Sequence, residues 1–435
     1  MKVAVLSLGW PPLWGGGEVY PHRLVEALCS VGVDACGITA TPELEGMDNG
    51  SAPVIRITTP EILDYVESNH YIEEGDYNYK IIPMMFSLPN KDELAGAWLR
   101  EMEQQVDCES FDLVIHLNQT MPLFEDAPHT EKIKRMFPNR ITLSYDIDKV
   151  ILLDLEMQVR DTHRNYDEVL KMFNAMLDEP NEEGLTLAEE LKEHNKFLHT
   201  HAEPEEKARL HITEFNKQVV NHLLHEGNGF VFHPPLDDSW WLSEKKQHND
   251  VFTVGAINPI GIKGGDMIVD AVVHNPEYHF RVLAGGWGNG KRAFTDRLAH
   301  KSHFYGIDLP TNYELIDYVD DIKGFYDSLD VFMFPSQTEG YGQVAAEAMS
   351  RLVPVVTKDY PSIREASHNH AYYVDVKDYA VFGKWSEALQ EVEEDYDYWL
   401  ERTENGAKLL KERQNQEILD LKMFLEQIAA EVSTA

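Results

Sequence analysis

Two glutamates stand eight positions apart in the segment from Phe334 to Met349, whose sequence is FPSQTEGYGQVAAEAM. An apolar run ending at Phe334 predicts a buried strand, the Pro-Ser pair predicts a turn, and good helix formers from Gln343 onward predict a helix. Glu339 then lies in the loop at the helix entrance, and Glu347 lies about two turns further on. Carboxylates accept hydrogen bonds from vicinal hydroxyl groups, so this pair suits the sugar and the ribose of a nucleotide-sugar. An ordinary αβ unit with two surface acids has the same pattern.

The entrance of this helix carries Gly340, Tyr341 and Gly342. Exposed N–H groups at a helix N-terminus favour anionic or hydroxyl-rich ligands, so these three residues are candidate donor-binding residues. The strand, the PS turn, the EG-x-G entrance and the EAM helix, in this order, resemble the E-x7-E signature of retaining GT-B glycosyltransferases of the glycogen-synthase-like family 4 type. The following stretch, LVPVVTKDYPSIREA, looks like the next strand and loop of that family.

This resemblance implies a retaining glycosyltransferase that moves a hexosyl or pentosyl group from a nucleotide-sugar, with a UDP-sugar as the donor, to an acceptor hydroxyl. It implies that Glu339 holds the donor sugar and that Glu347 holds the ribose. No metal and no separate cofactor are expected. The histidines of one polar stretch do not alter this expectation, because they lack a clean ligand pair with a second partner: His194, His199, His201, His211, His222 and His225.

Strands and helices alternate along most of the chain. Buried strands are predicted at Val3–Leu8, Ala35–Thr39, Phe111–Asn118, Arg140–Asp148, Val251–Ile257 and His279–Gly286, and in the stretches DVFMFPS and VPVVTK. This alternation indicates an α/β fold with parallel sheets that are covered on both faces. Together with the resemblance, it predicts the GT-B architecture. Two Rossmann-like domains face each other across a cleft, the first carries a helical insertion, and a C-terminal helix crosses back to it.

The domain boundaries follow from changes in composition. Residues 1–228 are predicted to form the acceptor domain, with a polar, mostly helical insertion at about 155–226. A Pro-Pro turn after a short apolar strand marks the boundary, within Gly229–Trp241. Residues 229–400 are predicted to form the nucleotide-sugar donor domain, and residues 401–435 a helical tail.

Two further motifs are candidates for binding the diphosphate of the donor. Gly15, Gly16 and Gly17 follow the first strand and precede a helix predicted from about Val19, so the backbone there can approach a diphosphate. The triplet lacks the spacing of a dinucleotide G-x-G-x-x-G, and a tight turn alone also explains it. Lys263 in NPIGIKGGD matches the lysine of the family, which implies that it neutralises the leaving diphosphate. A solvated surface lysine is the alternative.

The sequence departs from the family one strand earlier. The usual Gly-Arg pair is replaced here by Gly255-Ala256, and the loop that follows is longer. A second cation for the diphosphate must therefore come from elsewhere. Arg292 and the neighbouring Lys291, in GGWGNGKR, are the candidates.

Three side chains at predicted strand ends of the first domain are candidates for catalysis. His116 ends FDLVIH, where the family often has a histidine that points at the donor sugar, although a strand-end histidine is also a common structural residue. Asp146 and Asp148 end SYDID, and ligands of open αβ sheets bind beyond the carboxyl ends of strands. Either aspartate can orient or deprotonate an acceptor hydroxyl, or it can cap the next helix.

Composition limits the protein class. The chain has 435 residues, 43% of them hydrophobic, and no run of about 20 apolar residues that would predict a membrane span. Three cysteines without a metal or disulfide spacing predict a reducing, cytoplasmic setting. The net charge of −37 argues against binding of a polyanion by the whole surface.

The acceptor stays open between two classes. Phe215-Asn216-Lys217 and the later FHPPLD, from Phe232 to Asp237, resemble segments of bacteriophage DNA α-glucosyltransferases. This resemblance implies the hydroxymethyl group of a modified pyrimidine in phage DNA as acceptor. Basic residues would then form a local track for the DNA: Lys132, Lys134, Arg135 and Arg140. The alternatives are a glycan, a lipid-linked sugar or a small metabolite. A sugar phosphorylase or a non-catalytic nucleotide-sugar-binding protein on the same fold is a further alternative.

Overall fold

Two parallel sheets form the framework of the molecule. The computed structural model describes residues 1–11, 16–43, 50–69, 91–117, 127–144, 207–218, 229–244, 248–285, 290–317, 319, 321–375, 378–381 and 383–434. Within these residues, one sheet has seven strands and the other has six. No helix of this part of the chain is long and apolar enough to cross a membrane.

The first sheet has the strand order β3-β2-β1-β4-β5-β6-β7, with every neighbouring pair parallel. Its strands are β1 Lys2–Leu6, β2 Asp34–Thr39, β3 Val54–Arg56, β4 Leu113–Leu117, β5 Arg140–Ser144, β6 Ala208–His211 and β7 Gly229–Val231. Its helices are α1 Gly16–Ser30, α2 Pro60–Asn69, α3 Lys91–Gln105 and α4 Ala127–Met136.

The second sheet has the order β10-β9-β8-β11-β12-β13 and is also parallel throughout. Its strands are β8 Thr253–Ile257, β9 His279–Leu283, β10 Tyr313–Ile316, β11 Val331–Phe334, β12 Val355–Lys358 and β13 Tyr372–Val374. Its helices are α5 Gly265–His274, α6 Gly290–Tyr305, α7 Ile322–Asp327, α8 Gln343–Ser350, α9 Pro361–Ala366 and α10 Lys384–Glu394. A last helix, α11, spans Tyr396–Thr434.

Burial explains why the central strands are continuously apolar. All four residues of β11, the sequence VFMF, are buried, as are four of the five residues of β1. A parallel sheet is covered by helices on both faces, so its middle strands have no solvent side that would favour alternation. The apolar runs therefore predicted these strands to within four residues at each end.

Helix α11 crosses from the second domain back to the first, as the sequence predicted. Lys422 Nζ donates a hydrogen bond to the carbonyl of Val31 at 2.8 Å, and Phe424 stacks on Phe230 with ring centroids 5.2 Å apart. The helix also packs against α8, where a Cβ at Gly406 would lie 2.3 Å from the Met349 side chain. This 39-residue helix begins before the predicted tail and ties the two sheets together.

An ionic cluster holds the linker after β7 between the domains. His233 bonds Glu365 Oε2 at 3.0 Å through Nε2 and Glu417 Oε1 at 2.8 Å through Nδ1. Glu365 also accepts the backbone N–H groups of Glu214 and Phe215. Burial raises the pKa of Glu417, but the hydrogen bond and charge of His233 outweigh it, so the pKa is lowered overall. The cluster joins the first sheet, the second domain and α11.

One described segment of the predicted helical insertion is a strand. Residues 145–206 and 219–228 lie outside the described part, but β6 is a strand of the first sheet. Its sequence, ARLH, looks polar, yet Arg209 and His211 are both buried. The first sheet continues through β7 to Val231, three residues past the predicted boundary at residue 228.

His211 is buried as a neutral side chain. Its Nδ1 lies 3.0 Å from Asn216 Oδ1, so Nδ1 carries the proton and Nε2 carries a lone pair. Nε2 has no hydrogen-bond partner in the described residues and faces Gly229, where a Cβ would lie 2.3 Å from it. Burial lowers the pKa of His211 to about 4, although the bond to Asn216 acts in the opposite direction. A second proton at Nε2 would find no acceptor among the residues that the structure describes.

We therefore expect His211 to make stability fall with acidification. Above pH 6.5 the residue is neutral in both states; below it the unfolded chain binds a proton that the folded chain takes up only near pH 4. Its contribution to the free energy of unfolding should drop by roughly 3 kcal/mol across this window. Urea unfolding at pH 7, 6, 5 and 4 should show a flatter decline for His211→Gln than for the wild type. The exposed His300→Gln is the control, and equal slopes for all three proteins would contradict the prediction.

Candidate active site at the carboxyl ends of the strands

Two loops of the second sheet start side by side, because β8 and β11 are parallel neighbours. The loop after β11 is held to the loop after β8 by a hydrogen bond from Gln337 N to Ile262 O at 2.9 Å. The ammonium of Lys358, a buried residue, donates to Gln337 O at 2.8 Å. Both loops lie at the carboxyl edge of the sheet, where open αβ folds bind their ligands.

These loops bring together Lys263 and Glu339, two predicted site residues that are 76 positions apart. Lys263 ends the 3₁₀ turn Gly261–Lys263, and its Nζ lies 2.5 Å from Glu339 Oε1. The side chains are 25% and 13% exposed, so the ion pair is partly buried and still accessible from one side. The ammonium can donate hydrogen bonds to a phosphate, and the carboxylate can accept hydrogen bonds from sugar hydroxyls.

The entrance of α8 lies directly after this pair. Gly342 has φ +90°, a left-handed conformation that glycine adopts without a Cβ penalty, and it is the residue before the first turn of α8. Gly340 precedes it in the same loop. The first N–H groups of a helix have no partner within the helix, so this turn can donate to an anion.

The ring of Tyr341 packs between the linker and α11. The ring packs against His233 with centroids 5.3 Å apart, and its hydroxyl accepts a hydrogen bond from Arg413 Nη2 at 2.9 Å. Burial raises the pKa of Tyr341 to about 12, so the hydroxyl is neutral. The side chain therefore lies in the packing between the linker and α11, and a donor contact at this position would come from the backbone.

Glu347 is buried one turn into α8 and contacts the other domain. Its Oε1 accepts from both Nη1 and Nη2 of Arg23, each at 3.1 Å, and Gln343 Nε2 lies 3.2 Å from the same oxygen. Its Oε2 accepts from the Tyr326 hydroxyl at 3.3 Å. Burial, and then the charge of Glu347, raise the pKa of Tyr326 well above its usual value, which keeps this hydroxyl a donor. Arg23 on α1 is a residue that the sequence analysis missed.

The first-domain candidates are only partly described. Gly16 and Gly17 form the first turn of α1, which begins three residues before the predicted start. Gly15, Asp146 and Asp148 lie outside the described residues. His116 is buried at the penultimate position of β4, level with Leu6 of β1, at the carboxyl end of a central strand.

The two predicted replacements for the missing arginine lie on α6. The Arg292 side chain is 77% exposed, and its Nε is 3.5 Å from Asp296 one turn along the same helix. Lys291 pairs with Asp317 at 2.9 Å. Ala256, at the place of the family arginine, is buried in the core of the second domain. A role for Arg292 in phosphate binding stays a prediction, and this geometry gives it no support.

Comparison with known proteins agrees with the fold. Residues 248–392 match the model of the family "Glycosyl transferases group 1". The capsular polysaccharide biosynthesis glycosyltransferase CapM of Staphylococcus aureus is 30% identical over 137 residues, which are 30% of this chain and 34% of CapM. The O-antigen biosynthesis glycosyltransferase WclY of Escherichia coli is 33% identical over 157 residues, 34% of this chain and 42% of WclY. The matched region thus spans less than half of either relative.

The solved structure of Anabaena HepE in complex with UDP and glucose covers 100% of both chains with a TM-score of 0.57 and 13% identity. At this identity the likeness concerns the fold alone. It confirms the predicted GT-B arrangement of two Rossmann-like parallel sheets. Lys263, Glu339 and Glu347 lie within the residues that match this family model.

Proposed function

We propose that the protein is a retaining, metal-independent glycosyltransferase that moves a sugar from a nucleotide-sugar, a UDP-sugar, to a hydroxyl group of a glycan. The observation that carries the proposal is the partly buried pair of Lys263 and Glu339 at the carboxyl edge of a sheet that matches the family model. A cation and an acceptor carboxylate 2.5 Å apart can address the two halves of a nucleotide-sugar, its diphosphate and its sugar hydroxyls, at the same time.

The reaction breaks the bond between the anomeric carbon and the diphosphate oxygen, and the electron pair leaves with the diphosphate. Positive charge develops on the sugar ring, as in glycoside hydrolysis. Lys263 stabilises the departing negative charge, together with the N–H groups at the starts of α1 and α8. Glu339 fixes the sugar through its hydroxyls, and the acceptor oxygen attacks from the face that the diphosphate leaves. The acceptor proton passes to the departing phosphate oxygen, which balances the exchange.

A glycan acceptor fits the observations better than modified phage DNA. CapM and WclY are named for capsular polysaccharide and O-antigen biosynthesis. In the structure, Arg140 of the expected basic track is buried, and Lys132 pairs with Glu103 at 2.8 Å. Asn216 of the phage-like FNK segment is buried against His211. The burial of Asn216 therefore gives this residue of the FNK segment a structural role within the chain.

The proposal is tested by product analysis with a panel of UDP- and GDP-sugars and oligosaccharide acceptors, followed by mass spectrometry. We expect one donor to be consumed and one sugar to be added with retained anomeric configuration, in the presence of EDTA. Glu339→Gln should lower kcat/KM by about 10- to 100-fold, the value of charge-assisted hydrogen bonds to sugar hydroxyls. Glu387→Gln, which alters an exposed Glu–Lys pair on α10, is the matched control.

Three outcomes would contradict the proposal. Consumption of inorganic phosphate instead of transfer would identify a phosphorylase. Binding of a nucleotide-sugar without turnover on any acceptor would identify a binding protein. A mass gain on hydroxymethylcytosine DNA that oligosaccharides do not match would restore the DNA acceptor.

A further inference from the structure

The donor site that the proposed function requires has one cation where the family motif has two. Lys263 is present, but the position of the arginine is Ala256, whose side chain is buried in the core. Arg292 is directed to solvent beside Asp296. A diphosphate carries two negative charges near the scissile bond, and each cation that contacts it in a water-poor site lowers the barrier to its departure. The second charge must therefore come from another element.

We infer that Arg23, contributed by the first domain, is the second cation for the donor diphosphate. Its guanidinium lies on α1, seven residues after Gly16, and contacts Glu347 across the boundary between the domains. The side chain is 10% exposed and lies over the ring of Trp240 with Cζ 5.3 Å from the centroid. This inference rests on the proposed function and adds a donor-binding residue to it.

The hydrogen bonds of Arg23 leave most of its donors available. A guanidinium has five N–H groups in a planar fork. Two of them, one on Nη1 and one on Nη2, bond to a single oxygen of Glu347. Carboxylates and phosphates usually accept two parallel hydrogen bonds from a guanidinium on two different oxygen atoms. Arg23 instead directs both hydrogen bonds to one oxygen and makes no such bidentate pair with Glu347. The remaining donors suit a ligand with several acceptor oxygens.

Both glutamates of the E-x7-E pattern hold a cation in the structure. Lys263 pairs with Glu339 within the second domain, and Arg23 pairs with Glu347 from the first. A nucleotide-sugar offers hydroxyl donors and phosphate acceptors in the same molecule. Its sugar and ribose hydroxyls complement the two carboxylates, and its diphosphate complements the two cations. Donor binding would then exchange two ion pairs inside the protein for matched contacts with the ligand.

Because Arg23 comes from the first domain, a bound diphosphate should stabilise one arrangement of the two domains over others. Glu347 and Lys263 belong to one domain and Arg23 to the other, so the full charge of the site exists only when α1 lies against α8. A diphosphate would thereby favour the arrangement in which the domains are in contact, which also excludes water from the reacting sugar.

The test is the ratio of affinities for a nucleoside diphosphate and its nucleoside, measured by isothermal titration calorimetry at fixed ionic strength. UDP and uridine are the first pair, followed by the GDP and ADP pairs. Arg23→Met should weaken UDP binding roughly tenfold or more, as expected for a lost charge-assisted hydrogen bond, and change uridine binding much less. Arg23→Lys, which keeps the charge and loses the fork, should give an intermediate ratio.

Lys323→Met is the matched control. Lys323 Nζ lies 5.3 Å from the same Trp240 ring but pairs with Asp237 and not with Glu347. Its ratio should equal that of the wild type. Since Arg23→Met leaves Glu347 buried without its main partner, the double variant Arg23→Met/Glu347→Gln is included. Loss of a ribose contact affects UDP and uridine equally, so the ratio still reports on the diphosphate.

The outcomes separate this inference from the proposed function. If the wild type binds a nucleoside diphosphate and the ratio is unchanged in Arg23→Met and in the double variant, Arg23 is only a tie between the domains and the inference is wrong. If the wild type binds no nucleoside diphosphate at all, the proposed function itself fails, and the inference fails with it.

Discussion

Replacing Lys263 by methionine is expected to lower kcat/KM for sugar transfer by about 10²- to 10³-fold, the range observed when one preorganised donor to a developing negative charge is removed. The effect should fall mainly on kcat, because the charge on the departing diphosphate grows in the transition state. Steady-state kinetics with the donor found in the product analysis, together with the thermal unfolding midpoint of each variant, measures this directly. Lys263→Arg should recover part of the loss, because it restores the positive charge.

The control for this experiment is Lys384→Met. Lys384 forms the same kind of pair, 2.7 Å from Glu387, but on the exposed surface of α10. Loss of an exposed pair changes stability little, so this variant should keep wild-type kinetics. If Lys263→Met retains more than about a tenth of wild-type kcat/KM, the loss is smaller than removal of one charge-assisted hydrogen bond would cause. Lys263 would then not stabilise the leaving group.

The effects of substituting Lys263 and Glu339 on activity should also depend on each other. Their atoms are 2.5 Å apart, and residues in direct contact usually show coupling in a double-mutant cycle. Lys263→Met leaves Glu339 without its partner, while Lys263→Met/Glu339→Gln removes both charges. The double variant should therefore lose less activity than the product of the two single losses.

The sequence predicted those contacts that follow from the pairing of neighbouring strands. The apolar runs of β8 and β11 predicted two buried strands, and parallel neighbours place their following loops at one edge. Lys263 and Glu339 meet for that reason, although 76 residues separate them. The crossing of α11 was predictable from the family pattern alone, since an amphipathic tail does not specify the surface it covers.

The parts that the sequence did not reveal depend on contacts between domains. Arg23 and Glu347 are 324 positions apart on helices of different sheets, and no periodicity links them. The sequence places Tyr341 in a candidate donor-binding loop, but it does not reveal that the ring packs on His233 and that the hydroxyl bonds Arg413 of α11. Strand β6 is buried on both faces, but its sequence contains the polar residues Arg209 and His211, so no apolar run predicted it.

The close approach of the two loops also depends on Gly264. This residue has φ +75°, and a Cβ there would lie 2.0 Å from the carbonyl oxygen of Pro335. The three atoms nearest to that Cβ all belong to Pro335, two of them in its backbone, so no flexible side chain is present there that could move away. A Cβ would therefore push the loop after β8 away from the loop after β11, and Lys263 would move with it.

We expect Gly264→Ala to lower the free energy of unfolding by roughly 2 to 5 kcal/mol, which combines left-handed strain of about 1–2 kcal/mol with an overpacking cost of about 1–3 kcal/mol. Gly306→Ala isolates the first contribution. Gly306 has φ +65°, and a Cβ there meets nothing within 4 Å, so its cost should be only about 1–2 kcal/mol. Urea unfolding of the three proteins measures both values. Equal losses for the two variants would show that the loops can separate without cost, and the tight placement of Lys263 beside Glu339 would then not depend on this glycine.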